Sequence, residues 1–448
     1  SANKKEAAPD GSKDENIVDI MQGVSLVNGV KKTKKTDWAK VYYTDIWGTR
    51  EAKFEALAKG NLVFSQLKLD QKMAYFIPFG SNDKEAYDKG VSVAELFPVN
   101  VTGIVSGNDG VSIAPTKAEL IRRMDIVKNA TEEKDIFDLW GRFSRGQTAE
   151  KIQNDVLSGG TITPISFRPF DSRWTYYSGN SCGWVLWPRE KSTMGHLLAE
   201  PNSPIGANIG LVFCKTSRSF FSPFVSQNII AHRLFSAMCE ITYIAPLYLR
   251  SEPGLTGESW TANLDDEALN KLTQYLSKKP EPIEIFDYVY GVLHDPVYCE
   301  KYEQYLCRDF PRVPIINTPE KERDEGEFYV SEELYREYVS VGERLRKLHL
   351  MQIKAPAELA LEPNTPDDME IGAIKYKNGV LQLNANKRIT GISQEVWKYQ
   401  IGGHQVLDKW FKEHKGEVLT IDAFTHIENV VGLLEETIKL REYLRRLH

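Results

Sequence analysis

Cationic, hydroxyl, amide and aromatic side chains are concentrated between residues 166 and 250. This window holds eight Lys and Arg residues against four Asp and Glu, a local charge of +4, whereas the whole chain carries −6. Guanidinium and ammonium groups bind phosphate oxygens, and Arg, Lys, Asn and Ser side chains hydrogen-bond the edges of bases. A basic region on an acidic chain is therefore a candidate nucleic-acid interface.

Nine residues of this region have the chemistry for such contacts. They are Arg173, Asn180, Ser181, Arg189, Lys191, Lys215, Ser217, Arg218 and Arg233. Lys215 and Arg218 alternate with hydroxyl residues in a sequence that resembles a turn, which favours them as contacts. A bidentate contact to a base would contribute about 1–3 kcal/mol of discrimination, whereas a phosphate contact would steepen the salt dependence of binding. The sequence does not divide the nine residues between these two roles.

Three neighbouring residues are interpreted as structural instead. Arg168 opens the segment Arg-Pro-Phe-Asp-Ser-Arg and is predicted to form an ion pair rather than a base contact. Trp184 and Trp187 are predicted to pack in the core rather than to stack on bases, because large aromatic side chains are mostly buried.

Several motifs of known catalytic sites are absent from the sequence. It contains no phosphate-binding glycine loop, no H-E-x-x-H and no Asn/Asp-Pro-Pro-aromatic tetrapeptide. The eight histidines lack metal-ligand spacing, and the five cysteines form no C-x-x-C pair, which is typical of reduced thiols in a cytoplasm. No apolar run reaches membrane-spanning length. We interpret the chain as a cytoplasmic binding module that has no metal or cofactor of its own.

The order of periodic segments predicts a mixed α+β fold. Strands are expected at Trp174–Tyr177, Gly183–Trp187, Ile209–Cys214 and Ile241–Ala245, with helical segments before and after this β-rich region. Asn378-Gly379 predicts a tight hairpin, and Leu334, Tyr338 and Val341 begin one apolar stripe of a long helix. We expect divisions at residues 1–60, 61–160 (helical or irregular), 161–250 (β-rich), 251–355 (helical) and 356–448 (hairpin and helices).

Several stretches, taken in order, resemble one family. They are Asp10–Asn16, Asp19–Ser25, Val41–Gly48, Arg168–Arg173, Ile244–Leu249, Asp287–Pro296, Asp309–Pro314 and Ile401–Trp410. Together they are similar to the C-terminal part of single-polypeptide restriction-modification enzymes of the Type ISP kind, which are related to Type IIG and Type IIL enzymes. The resemblance implies that residues 1–60 contain the last strands of an α/β adenine-N6 methyltransferase domain. It also implies that the β-rich region is the core of a target recognition domain.

This resemblance implies a function and partners. The chain would recognise a sequence in double-stranded DNA, while upstream methyltransferase, motor and nuclease domains of the same polypeptide would use S-adenosylmethionine, ATP and Mg²⁺. The catalytic motifs of those domains would then precede Ser1. A protein-interaction scaffold with no nucleic-acid role is the alternative. The two differ in salt dependence, because DNA binding collapses between low and moderate salt and hydrophobic docking does not.

Overall fold

The structure, a computed structural model, divides the chain into two units, residues 1–81 and 82–448. It describes residues 8, 10–19, 24–31, 39–67, 69, 76, 81–189, 191–198, 206–217, 221–235, 240–251, 259–317, 328–365 and 367–448. No membrane-spanning helix is found among these residues. The finer divisions expected at residues 60, 160, 250 and 355 stay predictions.

The described residues of the first unit form one strand pair and one helix. Strand β1 (Val41–Tyr43) pairs antiparallel with β2 (Ser65–Leu67). Helix α1 (Arg50–Lys59) begins at its cap Thr49, whose hydroxyl accepts from the Ala52 amide, because an N-terminal helix amide has no partner within the helix.

Short helices and strands open the second unit. They are α2 (Ser81–Lys89), β3 (Val91–Ser92), α3 (Val93–Leu96), β4 (Val101–Thr102), α4 (Asp109–Ser112), β5 (Ile113–Ala114), α5 (Lys117–Asn129), α6 (Glu133–Trp140) and α7 (Ala149–Ser158). Thr116 caps α5, since its hydroxyl accepts from the Glu119 amide. The apolar faces of α5, α6 and α7 bury Leu120, Ile136 and Ile152 in the main core.

Two four-stranded sheets form the β-rich region. Its elements are β6 (Thr161–Arg168), β7 (Asp171–Tyr177), α8 (Lys191–Met194), β8 (Gly210–Cys214), β9 (Phe224–Ser226), β10 (Ile229–Ile230), β11 (Thr242–Pro246), β12 (Tyr248–Arg250) and β13 (Trp260–Ala262). One sheet has the order β10-β6-β7-β5 and the other β4-β11-β8-β9. Only the β10–β6 pair is parallel in these two sheets of the described chain.

One predicted strand is wrong, and one strand was missed. Residues 183–187 form bends and a single bridge from Trp187 to Val105 rather than a strand. The backbone amide of Trp184 donates to the side chain of Asp155, so it cannot enter a sheet ladder. The strand β6 was not predicted, although it contributes the longest register in the first sheet by pairing with β7.

Helices dominate the next part of the chain. They are α9 (Asp266–Thr273), α10 (Pro282–His294), α11 (Pro296–Leu306) and α12 (Glu332–His349), with the short strand β14 (Arg312–Val313) before α12. The predicted apolar stripe of α12 is confirmed, because Tyr338, Val341, Leu345 and Leu348 are buried. Glycine allows α10 and α12 to approach closely, since a Cβ at Gly342 would lie 1.9 Å from the Asp287 carbonyl oxygen.

A small sheet and three helices complete the chain. They are β15 (Ala360–Glu362), β16 (Lys375–Lys377), β17 (Val380–Gln382), β18 (Arg388–Thr390), α13 (Gln394–Lys398), β19 (Gln400–Ile401), β20 (His404–Gln405), α14 (Val406–Glu413) and α15 (Ile421–Arg445). The hairpin predicted at Asn378-Gly379 is confirmed: both residues have positive φ and join β16 to β17. The buried face of α15 shares one core with the β-rich region.

Buried neutral histidines couple folding to pH. Burial lowers the pKa of His349 to about 3, and its ring nitrogens contact the Tyr290 hydroxyl and the Thr437 hydroxyl. Because an unfolded chain binds this proton near pH 6.5, stability falls as pH drops from 6.5 towards 3. We expect His349 to cost about 2 kcal/mol of unfolding free energy between pH 8 and pH 5. Urea unfolding at both pH values measures it.

The variant His349→Gln separates this effect from other titrations. Burial also lowers the pKa of His404 to about 4 and the pKa values of His294 and His426, so some pH dependence persists. Glutamine keeps hydrogen-bonding capacity but does not titrate. The variant should lose less stability on acidification, and an equal loss in both proteins would contradict the prediction.

Candidate nucleic-acid interface

Arg189 lies at the centre of a partly exposed group of cationic and aromatic side chains. Its Nε donates to the Gly103 carbonyl oxygen at 3.2 Å, and its Nη2 lies 3.5 Å from His232 Nδ1. The guanidinium carbon is 5.5 Å from the centroid of the Trp187 ring, within cation–π range. Trp187 is 49% exposed, so its predicted core position is wrong, whereas Trp184 is fully buried as predicted.

The backbone presents Arg189 in an unusual conformation. Its φ is 67°, in the left-handed region that residues with a Cβ rarely adopt. Such a conformation persists only where surrounding contacts hold it, and these conformations cluster at functional sites. Two hydrogen bonds between Trp187 and Val105 fix the preceding chain. The amide of His232 donates to the Ile104 carbonyl oxygen and aligns the facing segment.

The electrostatics keep His232 neutral beside this arginine. Burial and the charge of Arg189 lower the pKa of His232. Burial also lowers the pKa of Arg189, and the nearby Tyr243 opposes that change. Because arginine stays protonated in proteins, the pair presents one cation and one neutral imidazole at neutral pH.

Aromatic rings extend the group along the sheet β4-β11-β8-β9. Tyr243 on β11 stacks on Phe213 of β8 and meets Phe310 edge-on at 5.1 Å between centroids. Lys215, which follows β8, places Nζ 5.2 Å from the centroid of the Phe310 ring. We define the basic-aromatic strip as seven residues. They are Trp187, Arg189, Lys215, His232, Arg233, Tyr243 and Phe310.

The ammonium group of Lys215 is weakly engaged within the chain. It lies 3.9 Å from a carboxylate oxygen of Asp309, and the two side chains are 48% and 50% exposed. Exposed ion pairs of this kind contribute about 0–1 kcal/mol, so exchange for a phosphate costs little. Arg233 is also exposed, and its carbonyl oxygen accepts from Arg168 at 3.5 Å.

Two of the nine predicted residues are held by carboxylates. Arg173 is 12% exposed and makes a bidentate contact with Asp171, with its guanidinium over the Phe167 ring. The amide nitrogen of Asn180 donates to Asp155 at 2.8 Å, although the residue is exposed. Both side chains therefore make contacts within the fold, which the sequence did not indicate for them.

The remaining predicted residues are two serines in described loops and two basic residues whose side chains lie outside the described part of the chain. Ser217 is half-buried, and its backbone amide donates to the Cys307 carbonyl oxygen. Ser181 is exposed in the loop before Trp187. Lys191 is the first residue of α8, with a side chain that is not described, and Arg218 lies outside the described residues.

Arg168 makes the ion pair predicted for it. Its side chain is 9% exposed, with Nε 3.3 Å from a carboxylate oxygen of Glu413. Sequence reasoning missed Tyr243 and Phe310. Tyr243 lies in the predicted strand Ile241–Ala245, and Phe310 lies in the segment Asp309–Pro314 that resembles the family. Neither signal indicates a role in DNA binding.

A cavity of about 430 Å³ lies away from the strip. It is bounded by Phe170, Phe224, Gln227, Asn228, Trp410, His414 and His426, among others. His426 is fixed there because its Nε2 lies 2.9 Å from the Phe170 carbonyl oxygen. None of the nine predicted residues lines the described wall of this cavity. Within the described residues, no His, Cys, Asp and Glu side chains cluster as metal ligands.

The fold is one of mixed helices and strands, and the strip is its candidate nucleic-acid interface. The particular family follows from its sequence: residues 95–442 match the model of the Type ISP C-terminal specificity domain, and the chain belongs to this family. The resemblance found in the sequence is thereby confirmed. No curated protein matches the chain.

Solved structures share this fold. The ATP-dependent Type ISP restriction-modification enzyme LlaBIII, bound to DNA, superposes with a TM-score of 0.68 at 18% identity, covering 97% of this chain and 30% of that enzyme. A nuclease-deletion mutant of the Type ISP enzyme LlaGI with a DNA substrate mimic has a TM-score of 0.61 at 16% identity, covering 91% of this chain and 33% of that chain. The DrdV–DNA complex has a TM-score of 0.59 at 19% identity, covering 91% of this chain and 43% of that chain. This chain therefore spans less than half the length of these relatives.

Proposed function

We propose that this chain recognises a target sequence in double-stranded DNA through the basic-aromatic strip. The observation that carries the proposal is Arg189, a cation fixed by the Gly103 carbonyl oxygen beside the exposed Trp187. The chain's membership of a specificity-domain family supports it. So do two structures that share this fold, LlaBIII bound to DNA and the DrdV–DNA complex.

The residues of the strip differ in the contacts they suit. The guanidinium of Arg189 is held at one edge, so less side-chain entropy is lost when it meets a base edge, and arginine fits guanine O6 and N7. Lys215 and Arg233 are exposed, and exposed cations suit phosphate oxygens. We assign Arg189 to base recognition and the other two to the backbone. Ser181, Lys191, Ser217 and Arg218 remain candidate contacts nearby.

The activity of the whole polypeptide belongs to domains outside this chain. We propose that upstream methyltransferase, motor and nuclease domains methylate adenine and cleave DNA with S-adenosylmethionine, ATP and Mg²⁺. LlaBIII is ATP-dependent, which supports the ATP requirement. A bacterial defence enzyme of this kind would act on DNA in the cytoplasm.

Substitutions in the strip should separate the two kinds of contact. Fluorescence polarisation with random duplexes and with a duplex selected from them measures binding at several salt concentrations. Lys215→Ala should make the slope of log K against log salt shallower by about 1, equally for both duplexes, because one phosphate contact is lost. Arg189→Ala should lower affinity for the selected duplex about 10- to 100-fold and reduce the base preference at one position of the target sequence.

Lys347→Ala is the matched control for Lys215→Ala. Lys347 is 41% exposed and pairs with Glu343 on α12, so its loss removes the same charge from a comparable environment. Its variant should bind like the unaltered chain. Equal effects of both lysine substitutions would overturn the phosphate contact of Lys215. A folded chain that binds neither duplex at any salt concentration would overturn the proposal and favour a protein-interaction scaffold.

A further inference from the structure

The loop between α6 and α7 presents two arginines that the strip does not include. Arg142 and Arg145 are both exposed, and neither guanidinium has a carboxylate partner in the part of the chain that is described. Arginines nearby behave differently: Arg122 and Arg123 both pair with Glu119. Two unpaired cations on one short loop of an acidic chain are available to bind an anion from outside.

Internal hydrogen bonds hold this loop in one conformation. The Ser144 amide donates to Gln147 Oε1 at 3.1 Å, and the Ser144 hydroxyl donates to the Gly107 carbonyl oxygen at 2.8 Å. Gln147 is 5% exposed, and its Nε2 donates to the Gly183 carbonyl oxygen at 2.9 Å. The backbone is therefore ordered before any ligand arrives, which reduces the entropy lost on binding.

The same contacts place the loop beside the basic-aromatic strip. A Cβ at Gly146 would lie 3.0 Å from Cys182 Sγ, and one at Gly107 would lie 3.0 Å from the Leu186 Cβ. Leu186 directly precedes Trp187, whose amide donates to the Val105 carbonyl oxygen. The arginine loop is thus joined by contacts to the segment that leads to Trp187 and Arg189 of the strip.

We infer that the loop of Arg142 and Arg145 binds the phosphodiester backbone of the DNA that the strip reads. This inference rests on the proposed function. Arginine forms bidentate contacts with phosphate. A DNA duplex carries one negative charge per roughly 1.7 Å of its axis, so a protein surface beside a base-reading group meets phosphates. Among the described residues, no carbonyl oxygen holds either guanidinium in one orientation, as the Gly103 carbonyl oxygen holds Arg189. The contact therefore contributes affinity and orientation, and it is independent of sequence.

The test compares the chain with a double variant, Arg142→Ala with Arg145→Ala, on random and selected duplexes. The slope of log K against log salt should become shallower by about 2, and affinity near 0.1 M salt should fall by roughly 50-fold on both duplexes. The charge-conserving variant, Arg142→Lys with Arg145→Lys, should restore most of the slope. Circular dichroism should show unchanged unfolding, because both side chains are exposed.

A second double variant controls for net charge. Arg336→Ala with Arg344→Ala also removes two exposed cations, which pair with Glu332 and Glu436 on the helical part of the chain. It should leave the slope nearly unchanged. Equal slopes for the two double variants would overturn the inference, and so would a loss confined to the selected duplex. If Arg189→Ala weakens binding while the loop variant does not, the proposed function stands and the inference fails.

Discussion

Replacing Arg346 with Ala should lower the free energy of unfolding by about 3–5 kcal/mol, the cost of leaving a buried charge without its partner. Arg346 Nε and Nη2 donate to the two carboxylate oxygens of Asp287 at 2.6 and 2.9 Å. The side chains are 11% and 4% exposed. Burial raises the pKa of Asp287, and the guanidinium opposes that rise, so its removal leaves the carboxylate unsatisfied. Urea unfolding at pH 7 measures the loss.

Arg344→Ala provides a control on the same helix. Arg344 is 55% exposed and pairs with Glu436 at 3.1 Å, so its removal should change stability by no more than about 0.5 kcal/mol. A double substitution, Arg346→Met with Asp287→Leu, should recover much of the loss because no buried charge remains. Equal stability of the two single arginine variants would show that the Asp287–Arg346 pair does not hold α10 against α12.

Local patterns predicted the elements whose determinants lie close together in the sequence. The apolar stripe of α12 and the Asn378-Gly379 turn are local, so both were predictable. The segment from Gly183 to Trp187 was not, because its amides and carbonyl groups bond to distant partners. Gln147 donates to the Gly183 carbonyl oxygen, and Asp155 accepts from the Trp184 amide. The hydrophobic periodicity of residues 183–187 does not reveal these contacts with distant residues.

The candidate interface was predictable in its region but not in its members. Residue chemistry indicated Arg189, Lys215 and Arg233, and the structure leaves these partly or fully exposed. It also indicated Arg173, which folding commits to Asp171. The contact of Tyr243 with Phe310 joins elements far apart in the chain. No local sequence pattern places those rings beside Lys215.

Substitution of Asp155 should disturb both stability and DNA binding, because this carboxylate holds the loop that leads to the strip. It is 4% exposed and accepts from the Ser178 hydroxyl at 2.6 Å, the Asn180 side-chain amide at 2.8 Å and the Trp184 amide at 2.8 Å. Asp155→Ala leaves the Trp184 amide buried without a partner. The expected loss is about 3 kcal/mol of unfolding free energy, since each unsatisfied buried group costs about 1–3 kcal/mol.

The effect on binding follows from the geometry of the loop. A Cβ at Gly183 would lie 2.3 Å from a carboxylate oxygen of Asp155, so the backbone is drawn onto this side chain and fixes the approach to Trp187. Once the loop is released, Arg189 loses its fixed neighbour, and binding should weaken more for a selected duplex than for random DNA. Asp138→Ala, at an exposed position on α6, removes an equal charge and should change neither property. If Asp155→Ala destabilises the chain but leaves the preference between duplexes intact at a temperature where it is folded, the loop supports the fold alone and base recognition lies elsewhere on the strip.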